Sequence, residues 1–161
     1  MLNELDFSAV IVTIKLALVS TAILILIGTP IAWWLSQTKL KFKAVFEAII
    51  ALPLILPPTV LGFYLLITLG SNGPIGRLLE SIGGSSIAFT FSGLVVGSVI
   101  YSMPFVVQPL QNSFSSVGRK PLEVAATLGA SKIDCFFSVA VPLARSGFIT
   151  AAVLGFAHTV G

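Results

Sequence analysis

Residues 16–38, 48–76, 81–118 and 146–161 contain no Asp, Glu, Lys or Arg, and uncharged runs of that length leave a chain few ways to fold. An α-helix rises about 1.5 Å per residue, so about 20 apolar residues cross a hydrocarbon layer of roughly 30 Å. The first three runs are long enough. Only 9% of the chain is charged and 56% is hydrophobic, against roughly 25% charged in a soluble domain. Six acidic and nine basic side chains cannot cover a water-exposed surface for a chain of this size. The pattern predicts an all-α, polytopic bundle of transmembrane helices, with spans near residues 10–35, 46–69, 87–107 or a little beyond, and 143–161. The last run is shorter than a full crossing, so the sequence reads as the N-terminal part of a longer protein.

Orientation follows from where the basic residues collect, because cytoplasmic loops are enriched in Lys and Arg. Lys39, Lys41 and Lys43 follow the first expected span; Arg119, Lys120, Lys132 and Arg145 lie between the third and fourth. Both loops are predicted to be cytoplasmic. The opposite side holds Glu4, Asp6, Arg77 and Glu80, which places the N-terminus outside. Lys15 lies about one turn inside the first span, from where its ammonium can snorkel to the outer interface. The first apolar run lacks a basic leader and exceeds a signal-peptide core, so it is expected to be retained. The net charge of +3 sits in these loops and gives no reason to expect a nucleic-acid partner. A single Cys excludes a disulfide scaffold.

The inventory of the spans excludes several functions. Proton-driven carriers need ionisable groups at membrane depth, and the reading finds only Lys15 near one end and His158 near the other. No phosphate-cradling G-x-x-x-x-G-K-[ST] sequence occurs, so energy from ATP would have to come from another subunit. No metal, cofactor or nucleophile constellation is present. His158, the only His, is either a functional group in the membrane or a neutral, hydrogen-bonded packing residue. Cys135 is expected to pack as a small hydrophobe, and Trp33 with Trp34 to sit at the inner interface.

Prolines punctuate the spans at Pro30, Pro53, Pro57, Pro58, Pro104 and Pro109. Each removes an amide donor and crowds the preceding turn. The Pro57–Pro58 pair should interrupt its helix, leaving irregular backbone that either borders a pathway or is a kink tolerated by neighbouring helices. Gly93 with Gly97, and Ala151 with Gly155, carry the four-residue spacing that lets helices approach closely.

The loop over residues 118–141 is the most informative part. Pro121 suits a first helical turn, Glu123 complements that helix's N-terminal dipole, and Gly129 can take the left-handed conformation that ends it. Ser131 with Asp134 forms the pattern of a capping box opening a second helix, whose Ile133, Phe136, Phe137 and Ala140 would share one face before Pro142. The residues predict a helix–turn–helix lying across the membrane surface, which on physical grounds alone is an interfacial helix with no further role.

Glu123-Val124-Ala125-Ala126, then Gly129, then Pro142 resembles the E-A-A…G…L-P loop of the permease subunits of binding-protein-dependent ABC importers. Val124 replaces the first Ala, and Val141 stands where Leu often precedes the proline. Leu52-Pro53-Leu54-Ile55-Leu56-Pro57-Pro58-Thr59-Val60-Leu61-Gly62 is similar to the molybdate branch of that family, supported by Gly73-Pro74-Ile75-Gly76 and Ala126-Thr127-Leu128-Gly129-Ala130. The resemblance covers essentially the whole chain. It implies a MetI-like, multi-pass permease domain in the bacterial inner membrane, not itself an enzyme and without a cofactor. Two such subunits would form a homodimer around the path, cytoplasmic ATP-binding subunits would supply energy, and a periplasmic binding protein would deliver molybdate or another oxyanion such as sulfate or tungstate.

Under that resemblance Glu123, Ala125, Ala126 and Gly129 make the contact that couples permease to ATPase, with Glu123 either capping its own helix or meeting a partner cation. Pro57, Pro58, Thr59, Ser102 and Pro104 are the candidates for the translocation path, where freed amides and the hydroxyls of Thr59, Thr68 or Ser102 would touch the anion transiently. Selectivity would then reside mainly in the binding protein, since a fixed cation in the path would hold a divalent anion and slow its release. A passive channel or membrane scaffold is the alternative from another class.

Overall fold

The computed structural model describes residues 4–161, with side chains from residue 7, so the Glu4 and Asp6 charges used above for orientation lie outside the described side chains. The elements are α1 (Glu4–Gln37), α2 (Lys43–Ile55), α3 (Pro58–Leu69), α4 (Pro74–Ser81), α5 (Phe91–Val117), α6 (Lys120–Thr127) and α7 (Lys132–Asp134). A π-helical stretch (Cys135–Ala140), α8 (Val141–Leu143) and α9 (Arg145–Val160) complete the chain, and no strand occurs among the described residues. Phe7–Gln37 and Phe91–Val117 are each long and apolar enough to cross a membrane. Two further stretches qualify only as bent pairs: Lys43–Ile55 with Pro58–Ser81, turned through 106°, and Lys132–Leu143 with Arg145–Val160, turned through 70°.

α1, α5 and α9 form the central triad, and α2 packs chiefly on α5. Leu24 and Leu35 of α1, Val106, Val107, Leu110 and Phe114 of α5, and Ala151 of α9 are fully buried where they meet. Lipid tails are as apolar as leucine, so close packing rather than water exclusion must hold such helices together. Small residues make that approach possible. Gly147, Ala151 and Gly155 recur every fourth residue and are all buried on α9, and a methyl group on Gly28 of α1 would already stand 3.3 Å from Val106. Gly97 instead faces α3, where a methyl group on it would lie in ordinary contact with Leu65, while a Cβ on Gly93 would collide with the Ile87 carbonyl just before the helix.

The prolines act unequally. Pro30, Pro53, Pro104 and Pro109 sit inside continuous helices, because one missing amide costs one ladder bond. At Pro57–Pro58 two successive donors are missing, and the residue before a proline is pushed out of the helical region. Leu56 and Pro57 accordingly take extended backbone, with ψ of 133° and 138°, and Pro58 opens the next helix.

The helix that carries the third expected span begins at Phe91, where the Thr90 hydroxyl accepts from the Gly93 amide, and continues to Val117, past both of its prolines. Burial of Leu110 and Phe114 against the triad holds that extension. Trp33 and Trp34 differ in surroundings: the Trp33 ring packs edge-on against Phe114 and Phe136, at 5.2 and 5.1 Å, while Trp34 is exposed beside Phe46. Consecutive residues on a helix point about 100° apart, so the two rings could not share one surroundings. Ile133, Phe136, Phe137 and Ala140 do not share one inward face, since the wider π turn brings Cys135, Phe136 and Ala140 inward and leaves Ile133 and Phe137 exposed.

Candidate coupling loop and translocation path

α6, the turn after it and α7 are built by local chemistry. Pro121 lies in the first turn of α6, and the Arg119 guanidinium donates to the Gln37 carbonyl at 3.1 Å, tying the loop to the end of α1. Glu123 stands in the first turn, exposed, and its carboxylate makes no cap hydrogen bond. Of its two expected roles, self-capping is therefore not realised; what remains is a charge beside the positive end of the helix. At the other end, the Gly129 amide donates to Ala126 and the Ala130 amide to Ala125, at 3.0 and 3.1 Å. Those paired bonds are a Schellman motif, which needs a left-handed residue, and Gly129 has φ of +90°.

Ser131 opens α7 with both halves of a capping box: its hydroxyl accepts from the Asp134 amide, and the Asp134 carboxylate accepts from the Ser131 amide and hydroxyl. Those bonds, the hydroxyl's foremost, hold the Asp134 carboxyl below its ordinary value of 3.8. A depressed carboxylate contributes stability above the unfolded value and loses it as pH falls through the folded one. Hydrogen exchange across residues 131–135, corrected for the intrinsic rate, is thus expected to show an intact cap at neutral pH and opening only below 3.8. Opening complete by pH about 5 would contradict the assignment. Cys135 is buried with its thiol against the Leu122 and Ala130 carbonyls, where it fills the angle between the two helices as expected.

The hairpin therefore presents a defined outer surface. Glu123 and Ala126 are exposed and Ala125 is half-buried; beside them Val124, Leu128 and Ile133 stand 59%, 84% and 69% exposed. These are uncovered aliphatic side chains on a short loop whose two ends are fixed by local hydrogen bonds.

The candidate path residues fall in two places. Pro57, Pro58 and Thr59 are exposed at the break between α2 and α3, and Pro58 shares a largely apolar cavity of about 400 Å³ with Leu61, Leu65, Gly97 and Tyr101. Ser102 and Pro104 are buried inside the triad instead. The Ser102 hydroxyl is occupied, 2.9 Å from His158 Nδ1 and 3.2 Å from the Thr159 hydroxyl. Thr159 commits its one proton to the Gly155 carbonyl. All three contacts are satisfied when His158 donates from Nδ1 to Ser102 and Ser102 donates to Thr159. His158 is also stacked on Phe105 at 3.8 Å and lies beside Tyr101, so its ring is both hydrogen-bonded and packed. Lys15 is exposed, with its ammonium 5.2 Å from the centre of the Phe91 ring.

One polar site escaped the sequence reading. Glu47 of α2 accepts a hydrogen bond from the Gln111 side-chain amide of α5, with the Lys43 ammonium 3.6 Å from the same carboxylate oxygen. The signal was available, since Glu47 falls inside the expected span 46–69. Gln111 was hidden by ending the third span near residue 107.

Residues 24–161 match the family model described as binding-protein-dependent transport system inner membrane component. The chain belongs to that family. Among relatives, this inner membrane component is 60% identical over 160 residues to the molybdenum transport system permease protein ModB of Azotobacter vinelandii, covering 99% of this chain and 71% of that one. It is 34% identical to ModB of Haemophilus influenzae, covering 98% and 69%, and 32% identical to ModB of Escherichia coli (strain K12), covering 99% and 70%. It is an all-α, polytopic inner membrane permease and a transport component, and the E-A-A-type loop by which the sequence resembles the family is the exposed hairpin of α6 and α7.

Proposed function

We propose that this chain is the permease subunit of an ATP-driven importer that carries molybdate across the inner membrane. The observation that carries the reading is the α6–α7 hairpin, whose two ends are fixed by a Schellman motif and a capping box while Val124, Leu128 and Ile133 stand uncovered. Such a surface suits the groove of a cytoplasmic ATPase: short Ala125 and Ala126 allow close approach, and Glu123 is free for a partner cation. The names of the ModB relatives supply the substrate. ATP is hydrolysed by the separate subunit, two permease subunits pair around the path, and a periplasmic binding protein hands over the anion. The basic loops on one side support a cytoplasmic hairpin and a periplasmic N-terminus, with membrane crossings near residues 10–35, 46–69, 87–107 or a little beyond, and 143–161. Pro57, Pro58 and Thr59 border the path at the helix break, while Ser102 and Pro104 stiffen the wall behind it.

Purification of the full-length permease from detergent should recover an ATPase, and proteoliposomes of the complex should take up molybdate only with ATP. Leu128→Asp, which puts a charge at the most exposed part of the hairpin, is expected to weaken ATPase recovery roughly tenfold or more without changing permease abundance. Uptake that persists after ATP depletion, with no ATPase recovered, would establish a passive channel instead. Uptake of sulfate in preference to molybdate would reassign the substrate.

A further inference from the structure

The direction of α2 is set by little covalent constraint. Residues 38–42 link it to α1, and the chain turns through 106° where it leaves for α3. Its packing on α5 is also loose. Ile50 reaches the edge of the core, but beside it a cavity of about 410 Å³ opens between the helices, lined by Glu47, Ala48 and Ala51 of α2 and Gln108, Gln111 and Asn112 of α5. Apolar contact across such a gap is non-directional, whereas a charge-assisted hydrogen bond is directional, and this one spans the gap although the Glu47 side chain is 40% exposed. The bond from Gln111 to Glu47 is the side-chain hydrogen bond recorded between these two helices among the described residues.

Gln111 stands less than two turns before the end of α5. Beyond it come Gly118, Arg119 with its bond to the end of α1, and then α6. A displacement of the hairpin can therefore reach the last turns of α5, where Gln111 sits, as it can reach α9 through the π-helical stretch on its other side. We propose that the Glu47–Gln111 pair is the positioning contact through which α5 sets the direction of α2, and so passes movement of the α6–α7 hairpin to the Pro57–Pro58 break. The cavity beside it gives α2 room to swing without collision. Lys43, on the same carboxylate oxygen, keeps Glu47 compensated while the pair is made. The inference rests on the reading of the hairpin as the coupling loop.

The test uses the full-length permease with its ATPase in proteoliposomes, measuring ATP hydrolysed per molybdate taken up. Glu47→Ala and Gln111→Ala are expected to raise that ratio about threefold or more, with permease abundance and ATPase recovery close to wild type. Glu47→Gln, which keeps an acceptor but removes the charge, should fall between. The exchanged pair, Glu47→Gln with Gln111→Glu, restores donor, acceptor and charge and should restore the ratio. If wild type couples and the alanine variants couple equally well, or lose abundance and uptake together at an unchanged ratio, the positioning role is overturned. An exchanged pair no better than the single variants overturns it too. Wild-type uptake that ignores ATP would overturn the coupling-loop reading itself, and this inference with it.

Discussion

Replacing Gly147 by alanine will lower the thermal midpoint of the permease in detergent and reduce its accumulation in the membrane, although alanine is the better helix former. A Cβ at this position would collide with the Ser113 Cβ and stand 2.7 Å from its hydroxyl oxygen, with the Pro109 carbonyl 3.2 Å away. Neither Ser113 Cβ nor a backbone carbonyl can swing aside as a flexible side-chain tip could, so α9 must withdraw from α5. Overpacking of this kind costs about 1–3 kcal/mol. The withdrawal also breaks the bond by which the Ser113 hydroxyl donates to the Ala144 carbonyl at 3.2 Å, the point where the chain kinks into α9. Gly147→Leu should prevent accumulation outright. The second-site control is Ser113: Ser113→Gly should rescue Gly147→Ala because it removes the colliding carbon, and Ser113→Ala should not because it keeps it. Gly155→Ala should behave like Gly147→Ala, since its new methyl would stand 2.6 Å from a methyl of the fully buried Val106, whose branched side chain has one strongly preferred rotamer in a helix. A Gly147→Ala protein with wild-type abundance and midpoint would mean that α9 and α5 are not held by close approach.

What could be read from the sequence was what depends on neighbours along the chain or on the solvent. The bilayer excludes charge wherever it meets the helices, so the uncharged runs marked the membrane helices. The double loss of amide donors at Pro57–Pro58, the left-handed residue at Gly129 and the reciprocal bonds of Ser131 and Asp134 are all decided within a few residues, and each appears in the structure. What could not be read depends on packing between distant segments. Pro104 and Pro109 predict an early end to α5 by local rules, yet Leu110 and Phe114 are buried beyond them and the helix runs on. Trp33 and Trp34 are alike in composition and differ only in which one meets Phe114. Ser102 and His158 are 56 residues apart, and Glu47 and Gln111 64, so no local pattern brings either pair together.

Gly129→Pro should abolish recovery of the ATPase and ATP-dependent uptake while leaving the permease folded in the membrane. The φ of Gly129 is +90°, whereas proline fixes φ near −65°. Its amide donates to the Ala126 carbonyl, a bond proline cannot make, and proline also disfavours the near-helical backbone that Leu128 now adopts. The Schellman turn would open, and the direction of α7 relative to α6 would no longer be fixed. A Cβ at Gly129 would meet nothing within 4 Å, so the damage lies in backbone direction alone, and the α1, α5 and α9 packing has no reason to change. That separation makes a graded series decisive. Asn tolerates the left-handed region and should bind the ATPase almost as wild type does; Ala strains the turn by about 1–2 kcal/mol and should bind it more weakly; Pro should not bind it. Side-chain bulk ranks the three differently, with Ala the least disruptive. If ATPase recovery follows bulk, or if the Pro variant still couples ATP to uptake, the turn is not what presents the hairpin to its partner.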